Sequence, residues 1–119
     1  MDKTQNKSTG DEGEEIAAVY LEKLGYKILE RNLKLFCGEI DILAQDHRTI
    51  VVCEVKTVKG TGFGPAKDLV RYKKQQKLRT LARAVEQQYP KSPVRVDVIG
   101  IEKYRNPPKI EHLKNVISG

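Results

Sequence analysis

Apolar residues recur at helical intervals at the start of the chain and at alternate positions further on. Ile16, Ala17, Tyr20, Leu21 and Leu24 fall on one side of a helix, and Gly25 stands where such a helix stops. Residues 1–10 are polar and read as a loose tail. Asp11 and Glu14 have capping-box spacing, so the pattern predicts a first helix over 11–24 within a single domain spanning 11–119. Tyr26, Ile28, Leu33 and Leu35 suggest a strand entered directly from that helix. "GEIDILAQD" (38–46) and "IVVCEVK" (50–56) then alternate as two further strands about the turn-like Asp46-His47-Arg48. The glycine-rich "VKGTGFGPA" (58–66) reads as a mobile loop, and residues 66–89 as a second helix ended by Tyr89-Pro90. "VRVDVIGI" (94–101) predicts a fourth strand and "KIEHLKNVI" (109–117) a short fifth, which makes the order αβββαββ.

Charged residues interrupt the two central strands. Because side chains alternate, Glu39, Asp41 and Leu43 are expected on one face and Ile40, Ile42 and Ala44 on the other. In the next strand Ile50, Val52, Glu54 and Lys56 share a face. A connection of four residues, Asp46 to Thr49, pairs Gln45 with Ile50, Leu43 with Val52, Asp41 with Glu54 and Glu39 with Lys56. Two carboxylates opposed at about 5 Å repel each other, and something should compensate. One solution is protonation of one carboxyl; the other is a divalent cation between them, completed by backbone, water and phosphate oxygens. Lys56 would then place a positive charge beside the negative charge that develops when water attacks phosphorus. The plainer reading is an exposed ion-pair lattice on a surface hairpin. Leu43, Ile50 and Val52 on the same face weigh against open solvent.

The net charge of +6 over 119 residues favours a polyanionic partner, nucleic acid before membrane. No apolar run approaches the roughly 20 residues that span a bilayer. The N-terminal decapeptide has no apolar segment of the secretory kind, and Cys37 and Cys53 have no zinc-type spacing. The expected location is therefore the cytoplasm, with both thiols reduced. Between Lys67 and Arg83 the second helix has seven basic residues against the single acid Asp68, which is either a solvated face or a phosphate-contacting one.

Asp41 followed by Glu54-Val55-Lys56 across a hairpin resembles the D…ExK signature of the PD-(D/E)xK nucleases, whose core is αβββαβ. More closely, "GEIDILAQD" and "IVVCEVKT" are similar to the paired signatures of the YraN family of small bacterial proteins. "GEEIAAVYLEKLGYKILERN" (13–32), "KQQKLRTLA" (74–82), "VRVDVIGI" and "IEHLKN" (110–115) extend the likeness over nearly the whole chain. The resemblance implies an α/β, restriction-endonuclease-like fold: an αβββαβ core with a mixed central sheet flanked by helices. It further implies an endonuclease dependent on Mg²⁺ or Mn²⁺ that acts on structured or branched DNA, similar to archaeal Holliday-junction resolvases.

Carried over by position, Asp41 and Glu54 are the implied metal ligands, with the backbone carbonyl of Val55 as a further one, and Lys56 is the implied catalytic lysine. Glu14 matches a helix-one glutamate that contributes to the acidic site in related resolvases. Its spacing alone fits equally a first-turn carboxylate favoured by the helix dipole or a side chain leaning toward the sheet. Glu39 is either chemical or a structural partner of Lys56. Lys73, Lys74 and Lys77 are candidate phosphate contacts, whereas Gln75 reads as solvated and His112 is assigned no role. Two positions depart from the family: Val58 replaces an arginine, with Lys59 as a substitute phosphate contact, and Cys53 replaces a core valine. The alternatives to an enzyme are an accessory protein that binds nucleic acid without cutting it and an interaction domain that binds neither DNA nor metal. A homodimer would suit cleavage of a symmetric junction.

Overall fold

Gly25, with φ at 94°, turns the chain from helix directly into strand. Its N–H donates to the carbonyl of Glu22 and that of Tyr26 to Leu21, the paired bonds by which a left-handed glycine closes a helix end. The structure, a computed structural model, describes residues 3–58, 72–102 and 105–117, with side chains described over 12–57, 75–102 and 105–117. The order is α1 (Lys3–Lys23), β1 (Lys27–Leu35), β2 (Gly38–Asp46), β3 (Thr49–Val58), α2 (Tyr72–Gln88), β4 (Val94–Glu102) and β5 (Lys109–Leu113). This is the expected αβββαββ sequence of elements.

Two boundaries differ from expectation. Helix α1 begins at Lys3, so residues 3–10, read as part of a loose tail, are its first turns, and the Asp11/Glu14 spacing marks no helix start. No proline precedes Asp11, and nothing local stops the helix from running back through it. The described part of α2 starts at Tyr72; the glycine-rich segment and the expected first turn of that helix lie outside the described residues.

The strands form one mixed sheet in the order β1-β2-β3-β4-β5. Neighbours are antiparallel except β3 and β4, which are parallel and therefore need the crossover that contains α2. Helices cover both faces. On one, Ala17, Ala18 and Leu21 of α1 pack with Ile42, Ala44, Val51, Cys53, Ile99 and Ile101. On the other, Leu78, Leu81 and Val85 of α2 pack with Ile40, Leu43, Ile50, Val52, Val96 and Val98. A strand covered on both sides has no solvent face, and β4 is accordingly buried from Val96 through Glu102. No described helix is long and apolar enough to cross a membrane.

Asp97 places a fully buried carboxylate in β4. Arg95 donates to it through Nε at 3.0 Å, and the Asn115 N–H donates at 3.0 Å. His112 Nε2 lies 2.7 Å from Asp97 Oδ2, and the Tyr20 hydroxyl lies 2.9 Å from His112 Nδ1. A proton on Nε2 satisfies both contacts, with Tyr20 donating to Nδ1. Arg95 also donates to Asp46 at 3.1 Å and to the Tyr26 hydroxyl at 2.6 Å. One carboxylate thus ties α1, the start of β1, the end of β2, β5 and the segment after β5 to the central strand. Burial alone would push the Asp97 carboxyl up, but the hydrogen bonds from His112, Arg95 and Asn115 outweigh it and hold the group below its ordinary value.

Asp97→Ala leaves Arg95 and His112 facing an apolar core without their anion, and urea denaturation at pH 7 should show a loss of about 3–5 kcal/mol. Because the folded carboxyl titrates below the unfolded one, this stabilisation is present above about pH 4 and is lost as pH falls through the folded value. The difference between wild type and Asp97→Asn should therefore shrink on acidification.

Candidate active site

β2 and β3 pair from Asp46↔Thr49 to Ile42↔Cys53, which includes the expected pairs Gln45↔Ile50 and Leu43↔Val52. The connection is shorter than expected, just His47 and Arg48, with His47 in the left-handed region at φ 57°. Past Ile42, β2 remains paired with β1 alone, and past Cys53, β3 remains paired with β4 alone. The sheet forks at Asp41 and Glu54. The expected ladder pairs Asp41↔Glu54 and Glu39↔Lys56 are therefore not formed. Asp41 is bound to β3 in another way: its Oδ2 accepts the Val55 N–H at 2.8 Å.

The pleat reverses at the same step. Ile40 packs in the α2-side core and Ile42 in the α1-side core, although an unbroken strand would give them one face. Across the ladder, Arg31 pairs with Ile42 and Leu33 with Ile40, and Asn32 between them is left-handed with φ at 53°. Arg31 reaches Glu15 of α1 at 2.8 Å, whereas Leu33 packs toward α2. Both strands turn over at Asn32 and Asp41. This corrects the expectation that Glu39, Asp41 and Leu43 share a face: alternation assumes a continuous pleat, and one left-handed residue breaks it.

Glu14 is brought to the fork by its neighbour. Gly13 is buried, and a Cβ on it would overlap the Thr57 Oγ1, so α1 approaches β3 by its bare backbone. The next side chain, Glu14, has its Oε1 buried and is close enough for its charge to act on Asp41. Glu14 lies far inside α1, which removes the first-turn reading and leaves the one in which it leans toward the sheet.

Burial is the main force pushing the Asp41 carboxyl up; the Val55 N–H opposes it, and the charges of Glu54, Glu14 and Glu39 add to it. The group reaches about 6. Three carboxylates thus act on Asp41 at the fork, a repulsion that a proton or a cation relieves. Among the described residues no three His, Cys, Asp or Glu side chains converge into a ready cage. The donor set fits a hard cation that takes one or two carboxylates and fills its shell with backbone, water and substrate oxygens.

Lys56 is exposed two residues beyond Glu54, and Glu39 is exposed on the other branch of the fork. Lys77 is exposed on α2, with its Cε 3.6 Å from where a Cβ of Gly38 would stand. Lys59 and the side chains of Lys73 and Lys74 lie outside the described residues. The close approach at Gly13 and the reversal at Asn32 both position the site, and sequence reasoning missed both. The signal for Asn32 was an asparagine within an alternating run, since asparagine tolerates the left-handed region better than most residues. His112, which was assigned no role, and Asp97, which was read only as a strand position, belong to the buried network.

The model of an uncharacterised protein family, UPF0102, matches residues 13–101. The chain belongs to UPF0102. This is the YraN family that the motifs resemble. A UPF0102 protein of Thermodesulfovibrio yellowstonii is 48% identical over 110 residues, covering 89% of this chain and 92% of its own. Another, from Desulforamulus reducens, is 40% identical over 119 residues, covering 95% and 98%. Among solved structures, a chain of an EndoMS complex with double-stranded DNA aligns with a TM-score of 0.45 at 19% identity. That alignment covers 68% of this chain and 32% of the other, so this UPF0102 protein spans about a third of it, and the likeness decides nothing about activity.

Gly13→Ala should cost about 1–3 kcal/mol by thermal or urea denaturation, because α1 must lift from β3; adding Thr57→Ala removes the obstructing oxygen and should recover most of the loss. Asp41 gives a second prediction. Its folded value lies above its unfolded one, so the metal-free protein binds the extra proton when folded and loses stability as pH rises from about 4 to about 6. Asp41→Asn should abolish that decline in denaturation midpoints measured across this range.

Proposed function

We propose that the chain is a divalent-metal-dependent endonuclease that hydrolyses phosphodiester bonds in structured or branched DNA, of the Holliday-junction type. The observation that carries this reading is the fork, where Asp41 and Glu54 lie at the parting of two strands with Lys56 beside them on a basic chain.

Asp41 and Glu54 would hold Mg²⁺ or Mn²⁺, with the backbone carbonyl of Val55 as a further oxygen ligand. When bound, such a cation polarises a phosphate oxygen and makes water a better nucleophile at neutral pH. The chain's own groups do the rest. The Val55 N–H fixes the orientation of the Asp41 carboxylate, one oxygen of which stays available. With its carboxyl at about 6, Asp41 is mostly ionised at pH 7 and becomes more so beside a cation. Lys56 sets its ammonium against the charge that grows on the phosphate in the transition state. Glu14 brings a third carboxylate over the fork, where it can orient the attacking water or accept its proton. Exposed Lys77, Arg79 and Arg83 of α2 offer cations to flanking phosphates, and Lys59, Lys73 and Lys74 extend that basic run in sequence. Cleavage of both strands of a symmetric junction calls for two copies of the chain.

A second reading is an accessory protein that binds nucleic acid without cutting it, since the exposed cations of α2 on a chain of net charge +6 would attract phosphate whether or not the fork holds a metal. Incubation of the purified protein with branched, duplex and single-stranded DNA, with and without Mg²⁺ or Mn²⁺, separates the two. The expected result is metal-dependent cleavage, reduced about 10²–10³-fold by Glu54→Ala and by Lys56→Ala, with DNA affinity changed only a few-fold. Cleavage indifferent to Glu54→Ala would refute the site. Absent cleavage, together with no heat of Mn²⁺ binding at millimolar concentration, would leave the accessory reading.

A further inference from the structure

Phe36 sits in the two-residue turn between β1 and β2 and is 95% exposed. Among the described side chains it is the only exposed phenylalanine or tyrosine. The turn that carries it is anchored on both sides. Leu35 pairs with Gly38, Leu35 and Cys37 pack into the α2-side core, and Leu81 and Lys77 of α2 close over Gly38, which has φ at 145°. Phe36 therefore projects from a held tip rather than from a loose loop. Lys34, exposed one strand position before Leu35, pairs across the ladder with exposed Glu39, while the Lys77 stem runs across the base of the turn and brings a cation beside the ring. From this tip β2 leads straight to the fork. Asp41 lies five positions after Phe36, which at about 3.3 Å per residue is a reach of at most about 16 Å, or a few nucleotides of backbone.

We infer that Phe36 is a stacking post for an unpaired nucleobase next to the cleavage site, with Lys77 holding an adjoining phosphate. A flat apolar ring beside a cation is the pairing that single-stranded nucleic acid recognises, since every base offers a π-face and every linkage a negative charge. A continuous duplex hides its base faces. Branch points, frayed ends and single strands expose them, so the post supplies the preference for structured DNA that the proposed nuclease needs. The inference rests on that proposed function.

Phe36 contributes nothing to the core, so Phe36→Ala, Phe36→Leu and Phe36→Trp should all fold, as circular dichroism can verify. Each is tested for binding to a duplex and to the same duplex with an unpaired segment carrying 2-aminopurine. Stacking predicts that wild type and Phe36→Trp quench the probe. Phe36→Ala and Phe36→Leu should lose the quenching and about 5- to 100-fold in affinity for the unpaired segment, with duplex affinity unchanged. Equal affinity and quenching for Phe36→Ala and wild type would overturn the stacking post while leaving the nuclease reading intact. An equal loss on both DNAs would overturn it too. If wild type bound neither DNA, the proposed function itself would fail and take the post with it. A change in self-association on sedimentation, with DNA binding intact, would make Phe36 a protein contact instead.

Discussion

The N–H of Val55 lies past the last registered pair of β2 and β3 and donates to the carboxylate of Asp41. In a continuous ladder β2 would follow β3 to its end. Here one branch of the sheet follows β1 and the other follows β4, and the hydrogen bond spans the parting. It does two things that oppose each other. It fixes the carboxylate, and it favours the ionised form in a place where burial and three other carboxylates favour the neutral one. The Asp41 carboxylate is therefore held by the neutral Val55 N–H against neighbouring like charges, a repulsion that a cation would relieve.

Opposite forces are resolved differently a short distance along the same sheet. Asp97 pairs in register with Cys53, one residue before Glu54, and it too is a carboxylate in an apolar layer. Around it, however, stand Arg95, His112 and the Asn115 N–H. Asp97 is surrounded by donors and stays ionised; Asp41 is surrounded by acceptors and is pushed toward its acid. Two buried or half-buried aspartates, one in β2 and one in β4 with β3 between them, thus have opposite electrostatic environments. One ties five segments together, and the other is placed to change its charge state or its partner.

Much of the architecture was legible because it follows from periodicity. The alternation of "GEIDILAQD" and "IVVCEVK" and the short turn between them sufficed for the pairs Gln45↔Ile50 and Leu43↔Val52. Asp41 and Glu54 were placed together by the same arithmetic, although the ladder stops one pair short of them. The limits were equally physical. A pleat reversal at Asn32 is a single dihedral choice, too local to disturb a hydrophobic pattern. The length of α1 was misjudged because a cap signal at Asp11 was read without any helix breaker before it. The close approach of Gly13 to Thr57 and the web around Asp97 join residues far apart in sequence, and no spacing rule reports such meetings.

The reversal at Asn32 has a second effect, on the outer side of β1. Among the described residues this strand is a margin of the sheet, with one row of backbone donors and acceptors unshared by a neighbouring strand. Such margins recruit foreign strands when they are flat and regular. β1 is neither: its register slips between Ile28 and Glu30, Asn32 flips its pleat two residues later, and Lys27, Glu30, Arg31 and Lys34 line it with charge. The irregularity that shapes the interior fork thus also makes the rim a poor template for aggregation.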